Sequence, residues 1–157
     1  KITHEINEDY PLVNLTSYTL ESVVAPLLFS PSLFDVIVAN ESTSDTLFSL
    51  GAAISGGFGN LCEGYLGDAA TGLYKPAKVA RFDAKNPHGV NPAGIILAAA
   101  KMLEYSFDKS LAKTAVENAV EEVISQNFVT PDIKNGRDET QKVISTEEFT
   151  DEVIKRL

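Results

Sequence analysis

The stretch GLYKPAKVARFDAKNPHGVNPAGIILAAAKMLEYSF, residues 72–107, decides the fold assignment. Its second half predicts a helix, because Asn91 followed by Pro92 is a favoured N-cap and first-turn pair. The apolar residues that follow predict a helix buried on most sides. Its first half has the skeleton of a nucleotide-binding loop that leads into a helix. Bulky side chains nevertheless stand where such a loop needs small or catalytic residues, namely Lys75, Lys78, Val79 and Arg81.

The segments upstream of this stretch predict an α/β fold with two or three short strands and mostly helices. LVNLTSYTL at 12–20 is rich in β-formers, and LFDVIVA at 33–39 is an aliphatic run typical of buried strands. Between them, SVVAPLLF predicts a short helix at 22–29, and Pro26 should limit its upstream extension. A βαβ-type domain needs more parallel strands than these to shield both helix layers. The chain is therefore interpreted as part of a fold, or as a piece that needs a partner.

Glycines and capping residues set the ends of the other predicted helices. Leu47, Leu50 and Ile54 have helical spacing, and the GGFG cluster at 56–59 should stop that helix and allow close packing. The same cluster lacks the Lys-Ser/Thr pair of a phosphate-binding loop. Asp108 is predicted to cap a helix at 109–126. The apolar stripe of that helix is predicted to be Leu111, Ala115, Val116, Ala119, Val120, Val123 and Ile124.

The last helix has a capping box formed by Ser145 and Glu148. Its inward-facing residues are predicted to be Phe149, Val153, Ile154 and Leu157. The polar segment KNGRDETQK at 134–142 lies between the last two helices and is predicted to be an exposed loop.

Composition excludes several classes of function. The chain has 157 residues, enough for one domain, and its 22 acidic against 13 basic residues give a formal net charge of −9. That charge argues against a nucleic-acid partner, because phosphate neutralisation needs clustered Lys and Arg. No run reaches the roughly 18 apolar residues of a membrane span. A single cysteine excludes an internal disulfide framework and a multi-cysteine metal site.

Three stretches in order resemble the carboxy-terminal half of the isocitrate and isopropylmalate dehydrogenase family, the β-decarboxylating dehydrogenases. They are FDVIVANESTSDTLFSLGAAISGGFG at 34–59, the stretch at 72–107, and the tail VTPDI…STEEFTDEVIKRL at 129–157. The resemblance implies a partial fold of this family, α/β and mostly helical. In that fold, residues 1–60 would be the end of the dimerisation region. Residues 61–157 would carry the cofactor loop and the carboxy-terminal helices.

The resemblance also implies a chemistry against which the metal ligands can be compared. Enzymes of this family oxidise a 2-hydroxy acid with NAD or NADP and remove its β-carboxylate. A divalent cation held by three aspartates acts as the Lewis acid. The matching positions here are Glu21, Asp45 and Ser49, so one carboxylate is longer, one is retained and one is lost. Without a metal, Asp45 would be a helix N-terminal aspartate favoured by the helix dipole, and Glu21 a surface or interface carboxylate.

The cofactor loop departs further from the family pattern. Lys75 stands at the glutamate of the family's GLYEP, Lys78 at its histidine, and Val79–Arg81 at its small Gly-Ser-Ala run. Asp83 and Asn91 match the family's ribose-bonding aspartate and adenine-contacting asparagine. Asp83 could instead be a turn residue and Asn91 only a helix cap. Lys75, Lys78 and Arg81 could form an anion site, a docking surface or a solvated basic patch.

No catalytic residue is assigned, because the family's substrate arginines, catalytic tyrosine and catalytic lysine match positions upstream of Lys1. We therefore expect no enzyme activity from this chain by itself and no cofactor. The expected function is a structural or regulatory subunit of a hetero-oligomer, bound to other protein subunits. Erosion of the same loop in regulatory subunits of mitochondrial NAD-dependent isocitrate dehydrogenases makes the mitochondrial matrix the expected location, otherwise the cytoplasm. The alternative is one piece of an active dehydrogenase, using NAD with Mg²⁺ or Mn²⁺ and completed by a missing half or partner.

Overall fold

The structure is a computed structural model that describes residues 2–68, 71–77 and 89–157. The chain divides into two compact units, Lys1–Leu50 and Gly51–Leu157. Single 3₁₀ turns lie at Pro31–Leu33 and Phe58–Asn60. The helices are α1 (Ile2–Asn7), α2 (Leu20–Phe29), α3 (Glu41–Ile54), α4 (Ala93–Tyr105), α5 (Ser110–Ser125) and α6 (Thr146–Ile154). The strands are β1 (Cys62–Leu66), β2 (Gly72–Pro76), β3 (Phe128–Val129) and β4 (Lys142–Val143). Across the described ranges, every helix is too short or too polar to cross a membrane.

The first unit is built on the predicted helix α2 and on the start of α3. Thr19 and Ser22 form a capping box for α2, and this local signal starts the helix at Leu20. The helix therefore runs through Pro26 and extends further upstream than Pro26 led us to predict. The side chain of Asn40 caps α3 by accepting the Thr43 N–H at 2.9 Å. The small core consists of Val23, Leu27 and Leu47, with Leu20, Phe34 and Leu50 packed against it.

Both strands predicted in this unit are wrong. Residues 12–19 have turns and irregular backbone, and 36–40 have no regular secondary structure. Instead of being buried, Val36 is 82% exposed and Val38 is 77% exposed. A strand is stabilised by backbone hydrogen bonds to a neighbouring strand, so composition cannot produce one without that neighbour. The described part of this unit supplies no such neighbour.

The second unit begins with a β-hairpin that the sequence did not reveal. β1 and β2 pair antiparallel, with Cys62 opposite Pro76 and Leu66 opposite Gly72. Residues 72–76, interpreted as part of a loop, thus form a strand. Helix α3 ends at Ile54, just before two glycines with positive φ, as predicted.

Three helices enclose the core of the second unit. Its buried residues come from α4, α5 and α6, and they are Ala93, Ala119, Val120, Val123, Phe149 and Val153. The capping box of α6 is confirmed: the Glu148 N–H donates to Ser145 Oγ at 3.1 Å and the Ser145 N–H to Glu148 Oε2 at 2.8 Å. The short parallel pair β3–β4 brackets the largely exposed polar loop predicted at 134–142.

Some residues predicted to face this core from α5 and from the last helix are exposed, because α5 and α6 are each covered on one side only. Leu111 is 90% exposed, Ile154 60% and Leu157 65%. In α4 the exposed residues, Ile95 and Tyr105 among them, lie along one stripe, and the other residues are buried or half-buried, as predicted. Asp108 does not cap α5: its φ is 53° and its N–H closes the end of α4 on the Glu104 carbonyl. The N-cap position of α5 is Lys109, without a side-chain hydrogen bond.

Candidate functional site

Asp45 and Ser49, two of the three predicted metal-ligand positions, share one face of α3. Asp45 is exposed and lies five residues after its capping residue Asn40. It is thus beyond the first turn, where the helix dipole favours a carboxylate most. The Ser49 hydroxyl donates to the Asp45 backbone carbonyl at 2.9 Å, a local bond within the helix. The spacing of the two family ligands is kept, but the second position offers a neutral hydroxyl in place of a carboxylate.

The carboxylate of Glu21, the third metal-ligand position, bonds to groups at the start of its own helix. It lies exposed in the first turn of α2. Its own backbone N–H, and next the Thr19 side chain, lower the pKa of the Glu21 carboxyl. These contacts show that Glu21 stabilises the start of α2, which accounts for a carboxylate at this position without a metal. Within the described residues no three His, Cys, Asp or Glu side chains come together as a metal site.

Lys75, the charge reversal in the cofactor loop, lies on β2 directly opposite Glu63 of β1. Its Nζ is 2.5 Å from Glu63 Oε2, and the Tyr65 hydroxyl donates to the same carboxylate oxygen at 2.8 Å. The ammonium also lies 5.6 Å from the centre of the Tyr65 ring. The contact to Glu63 raises the pKa of Lys75. Its charge is thus matched within the hairpin. Lys78, Arg81 and Asp83 lie outside the described residues.

Asn91 is a buried polar hub at the start of α4, with 7% of its surface exposed. Its Oδ1 accepts the Ala93 N–H at 2.9 Å and its Nδ2 donates to Asn60 Oδ1 at 2.6 Å. Its backbone N–H donates to Asp132 Oδ2 at 3.1 Å. The Asn91 side chain thus bonds the first residue of α4, but the N-cap position is Pro92, one residue later than predicted.

Sequence reasoning missed the partners that hold this hub. Thr130, fully buried, donates to the Asp132 carboxylate at 2.5 Å, which orients that carboxylate toward Asn91. Thr146, the first residue of α6, donates to the Val90 carbonyl at 2.6 Å. The TPD sequence at 130–132 is the only local sign of the first contact, and nothing local predicts its connection to a residue 41 positions away.

A pocket of about 240 Å³ lies between the hairpin and α4. Its lining residues are Cys62, Gly64, Leu66, Tyr74, Lys101 and Tyr105. Burial raises the pKa of the Cys62 thiol, opposed by Lys101 and reinforced by Glu117 and Glu63. Lys101 Nζ is itself paired with Glu117 Oε1 at 3.2 Å. The pocket thus holds a neutral thiol and a compensated cation.

A hairpin packed on α4, which in turn packs on α5, forms a partial α/β fold with a buried polar hub at the start of α4. The family model for isocitrate/isopropylmalate dehydrogenase matches residues 1–153. The chain belongs to this family, as the motifs predicted.

Similar proteins include both isopropylmalate and isocitrate dehydrogenases. The chain is 34% identical to a 3-isopropylmalate dehydrogenase of Heyndrickxia coagulans, over all of this chain and 42% of that protein. It is 36% identical to an isocitrate/homoisocitrate dehydrogenase of Thermus thermophilus, over 98% of this chain and 43% of that protein. The chain therefore spans less than half the length of these relatives.

Solved structures confirm the partial fold. The isocitrate dehydrogenase from Methylococcus capsulatus matches with a TM-score of 0.78 and 26% identity, over 99% of this chain and 44% of that one. The TT0538 protein from Thermus thermophilus shares the fold, with a TM-score of 0.79 at 22% identity over 98% of this chain and 30% of that one.

Proposed function

We propose that this chain is a non-catalytic structural or regulatory subunit of a hetero-oligomer, derived from an NAD-dependent isocitrate dehydrogenase-like protein. The observation that carries the proposal is Ser49. The Ser49 hydroxyl donates its proton to the carbonyl of Asp45 at 2.9 Å, and as a neutral group it adds no negative charge where the family has an aspartate. Mg²⁺ and Mn²⁺ bind preferentially to carboxylate oxygens, and the position one turn after Asp45 supplies none.

The hairpin supports the same proposal from the cofactor side. The family's glutamate is replaced by Lys75, which forms an ion pair with Glu63. Asn91, the match to an adenine-contacting residue, already uses its amide oxygen and nitrogen on Ala93 and Asn60. Its burial is therefore explained by the fold without a nucleotide. A mitochondrial matrix location and a homologous partner subunit belong to this proposal through the resemblance alone.

The alternative function is one piece of an active β-decarboxylating dehydrogenase. It is favoured by identities of 34–36% to dehydrogenases over nearly the whole chain. It is also favoured by Asp45, which is exposed in the second turn of α3 and is the one metal-binding aspartate of the family retained unchanged. In that case the remaining ligands and the catalytic groups would come from elsewhere in the assembly.

Metal titration separates the two functions. We compare Mn²⁺ binding by calorimetry in the native chain, in Ser49→Asp and in Thr46→Asp, a control that adds a carboxylate off the Asp45 face. The non-catalytic proposal predicts the same weak binding in all three proteins. A gain confined to Ser49→Asp would show a metal site waiting for its lost ligand and would contradict the proposal.

The native complex provides the second test. Its intact mass, followed by peptide identification of each chain, should reveal partner subunits. An activity assay should show no oxidation of isocitrate or isopropylmalate by this chain itself. Turnover with NAD that disappears in Asp45→Asn, but not in Thr46→Asn, would establish the enzyme alternative instead.

A further inference from the structure

The dipeptide Asn135–Gly136 occurs once in the chain, in the exposed loop between β3 and β4. Both residues are exposed, and a Cβ on Gly136 would meet nothing within 4 Å among the described residues. Every other asparagine is followed by a residue with a side chain, which crowds the main-chain nitrogen beside it. Glycine leaves that nitrogen open to close approach. An open main-chain nitrogen can attack the side-chain amide of the preceding asparagine.

The fold holds Asn135 in a turn, residues 135–138, that favours such an attack. Asn135 Oδ1 accepts the Arg137 N–H at 3.1 Å, which is the hydrogen bond of an Asx turn. This bond closes a ring that contains the Gly136 nitrogen, so the side-chain carbonyl is folded back toward that nitrogen. The Arg137 N–H also points at the oxygen on which negative charge develops during an attack on Cγ. A donor at such a position stabilises the transition state.

Two further hydrogen bonds fix the backbone of this turn. The Asp138 N–H donates to the Asn135 carbonyl at 3.1 Å and closes a β-turn with asparagine at its first position. The Asn135 N–H donates to Gln141 Oε1 at 2.8 Å, across the loop. The structure thus presents the amide of Asn135 at the surface in one defined geometry.

We propose that Asn135 is a site of spontaneous deamidation in the folded chain. The Gly136 nitrogen forms a bond to Asn135 Cγ and gives up its proton, while the amide nitrogen takes up a proton and leaves as ammonia. Water then opens the resulting succinimide ring at one of its two carbonyls. Attack at Cγ gives aspartate, and attack at the main-chain carbonyl gives isoaspartate, whose main chain continues through Cγ. Water is the only co-reactant, and nothing is oxidised or reduced.

Either product changes the loop. Aspartate adds one negative charge to a formal net charge of −9, next in sequence to a segment that already holds Asp138 and Glu139. Isoaspartate also lengthens the main chain and removes the acceptor of the Asx turn. The loop connects β3 to β4, so we expect isoaspartate to loosen this parallel pair. The inference goes beyond the proposed function and is independent of it, since neither a metal nor a partner subunit takes part.

The test incubates the folded chain at mildly alkaline pH and follows each asparagine by peptide mass spectrometry. We expect aspartate and isoaspartate at Asn135, with unchanged amides at Asn14 and Asn118, which are also exposed. A synthetic peptide of residues 131–140 is incubated in the same buffer. Because the turn favours the attack, conversion at Asn135 should be at least as fast in the folded chain as in the peptide. Slower conversion in the folded chain, or equal conversion at Asn14, would overturn the inference.

Two glycine variants show whether the Gly136 nitrogen is the attacking group. Gly136→Ala adds a methyl group beside this nitrogen and should slow the conversion about tenfold or more. Gly67→Ala is the matched control, because Gly67 is also exposed and its Cβ would likewise meet nothing within 4 Å among the described residues. The control should convert at the native rate. An unchanged rate in Gly136→Ala, or the same slowing in both variants, would contradict the mechanism.

Hydrogen exchange measures the effect on β4. The Lys142 N–H is bonded to the Asn127 carbonyl at 2.8 Å, and the Ile144 N–H to the Val129 carbonyl at 2.9 Å. In chains converted to isoaspartate both groups should exchange about tenfold faster than in unconverted chains, because the pair opens more often. Exchange in α5 should stay the same. Unchanged exchange at Lys142 and Ile144 would contradict the loosening of the β3–β4 pair.

Discussion

Cys62 shows at the scale of one residue how packing controls chemistry. Its thiol lies half-buried on β1, and burial is the main cause that raises its pKa. A thiol is nucleophilic only as the thiolate, so the folded chain should contain less of the reactive form at neutral pH than an unfolded one. The nearby Lys101 favours the thiolate but does not offset burial.

We therefore expect iodoacetamide to alkylate Cys62 more slowly in the folded chain than in guanidinium at the same pH. The rate should keep rising with pH beyond the point where an ordinary cysteine has reached its plateau. The folded state holds the proton more tightly, so this thiol stabilises the fold fully below its unfolded pKa and loses that contribution as pH rises through the folded pKa. Mass spectrometry of alkylated protein measures the rates. Equal rates in the folded and unfolded chains would contradict the claim that burial suppresses the thiolate of Cys62.

At the scale of elements, two helix glycines with opposite surroundings give a matched pair of predictions. A Cβ on Gly94 would lie 2.6 Å from the Leu61 carbonyl oxygen, whereas a Cβ on Gly51 would meet nothing within 4 Å. Gly94→Ala should cost about 1–3 kcal/mol, because α4 must move off the backbone before β1. Gly51→Ala should stabilise α3 by up to about 1 kcal/mol. Urea unfolding measures both, and a neutral Gly94→Ala would contradict the close contact.

The start of α6 gives a second prediction at this scale. Ser145→Ala removes the acceptor of the Glu148 N–H and should lower the free energy of unfolding by about 1 kcal/mol. Ser110→Ala, at the start of α5, is the control, since α5 begins without a side-chain cap and should change little. Thermal unfolding followed by circular dichroism compares them. Equal losses in both variants would show that the capping box contributes nothing beyond helix propensity.

The elements also show which kinds of structure can be predicted. The C-terminal end of α3 and the capping box at the start of α6 follow from residues within four positions, and the sequence predicted both. The hairpin was missed and two strands were wrongly predicted, because a strand forms only beside a second strand and the composition of one segment does not show which segment pairs with it. Glu63 and Lys75, which lie opposite each other, are twelve residues apart in the chain. Likewise, the Asp132 contact to Asn91 depends on a separation of 41 residues.

At the scale of the whole molecule, the two units differ in the size of their hydrophobic cores. The first has three buried residues in its core cluster and the second has six. Hydrogen exchange should therefore be faster in α2 than in α5 and α6 under the same conditions, since opening α2 exposes less apolar surface. Exchange mass spectrometry on the intact chain tests this. Equal protection of α2 and α5 would show that the first unit is stabilised by more than its own core.

The sequence by itself determined the family and most helix positions, because motif order, caps and glycine stops are properties of neighbouring residues. It also determined that Ser49 is not a carboxylate and that Lys75 reverses a charge. Only the tertiary structure decided that Ser49 bonds to Asp45, that Lys75 is neutralised by Glu63, and that Val36 and Val38 are exposed. These outcomes depend on distances between groups, and such distances are set when elements pack or fail to find a partner.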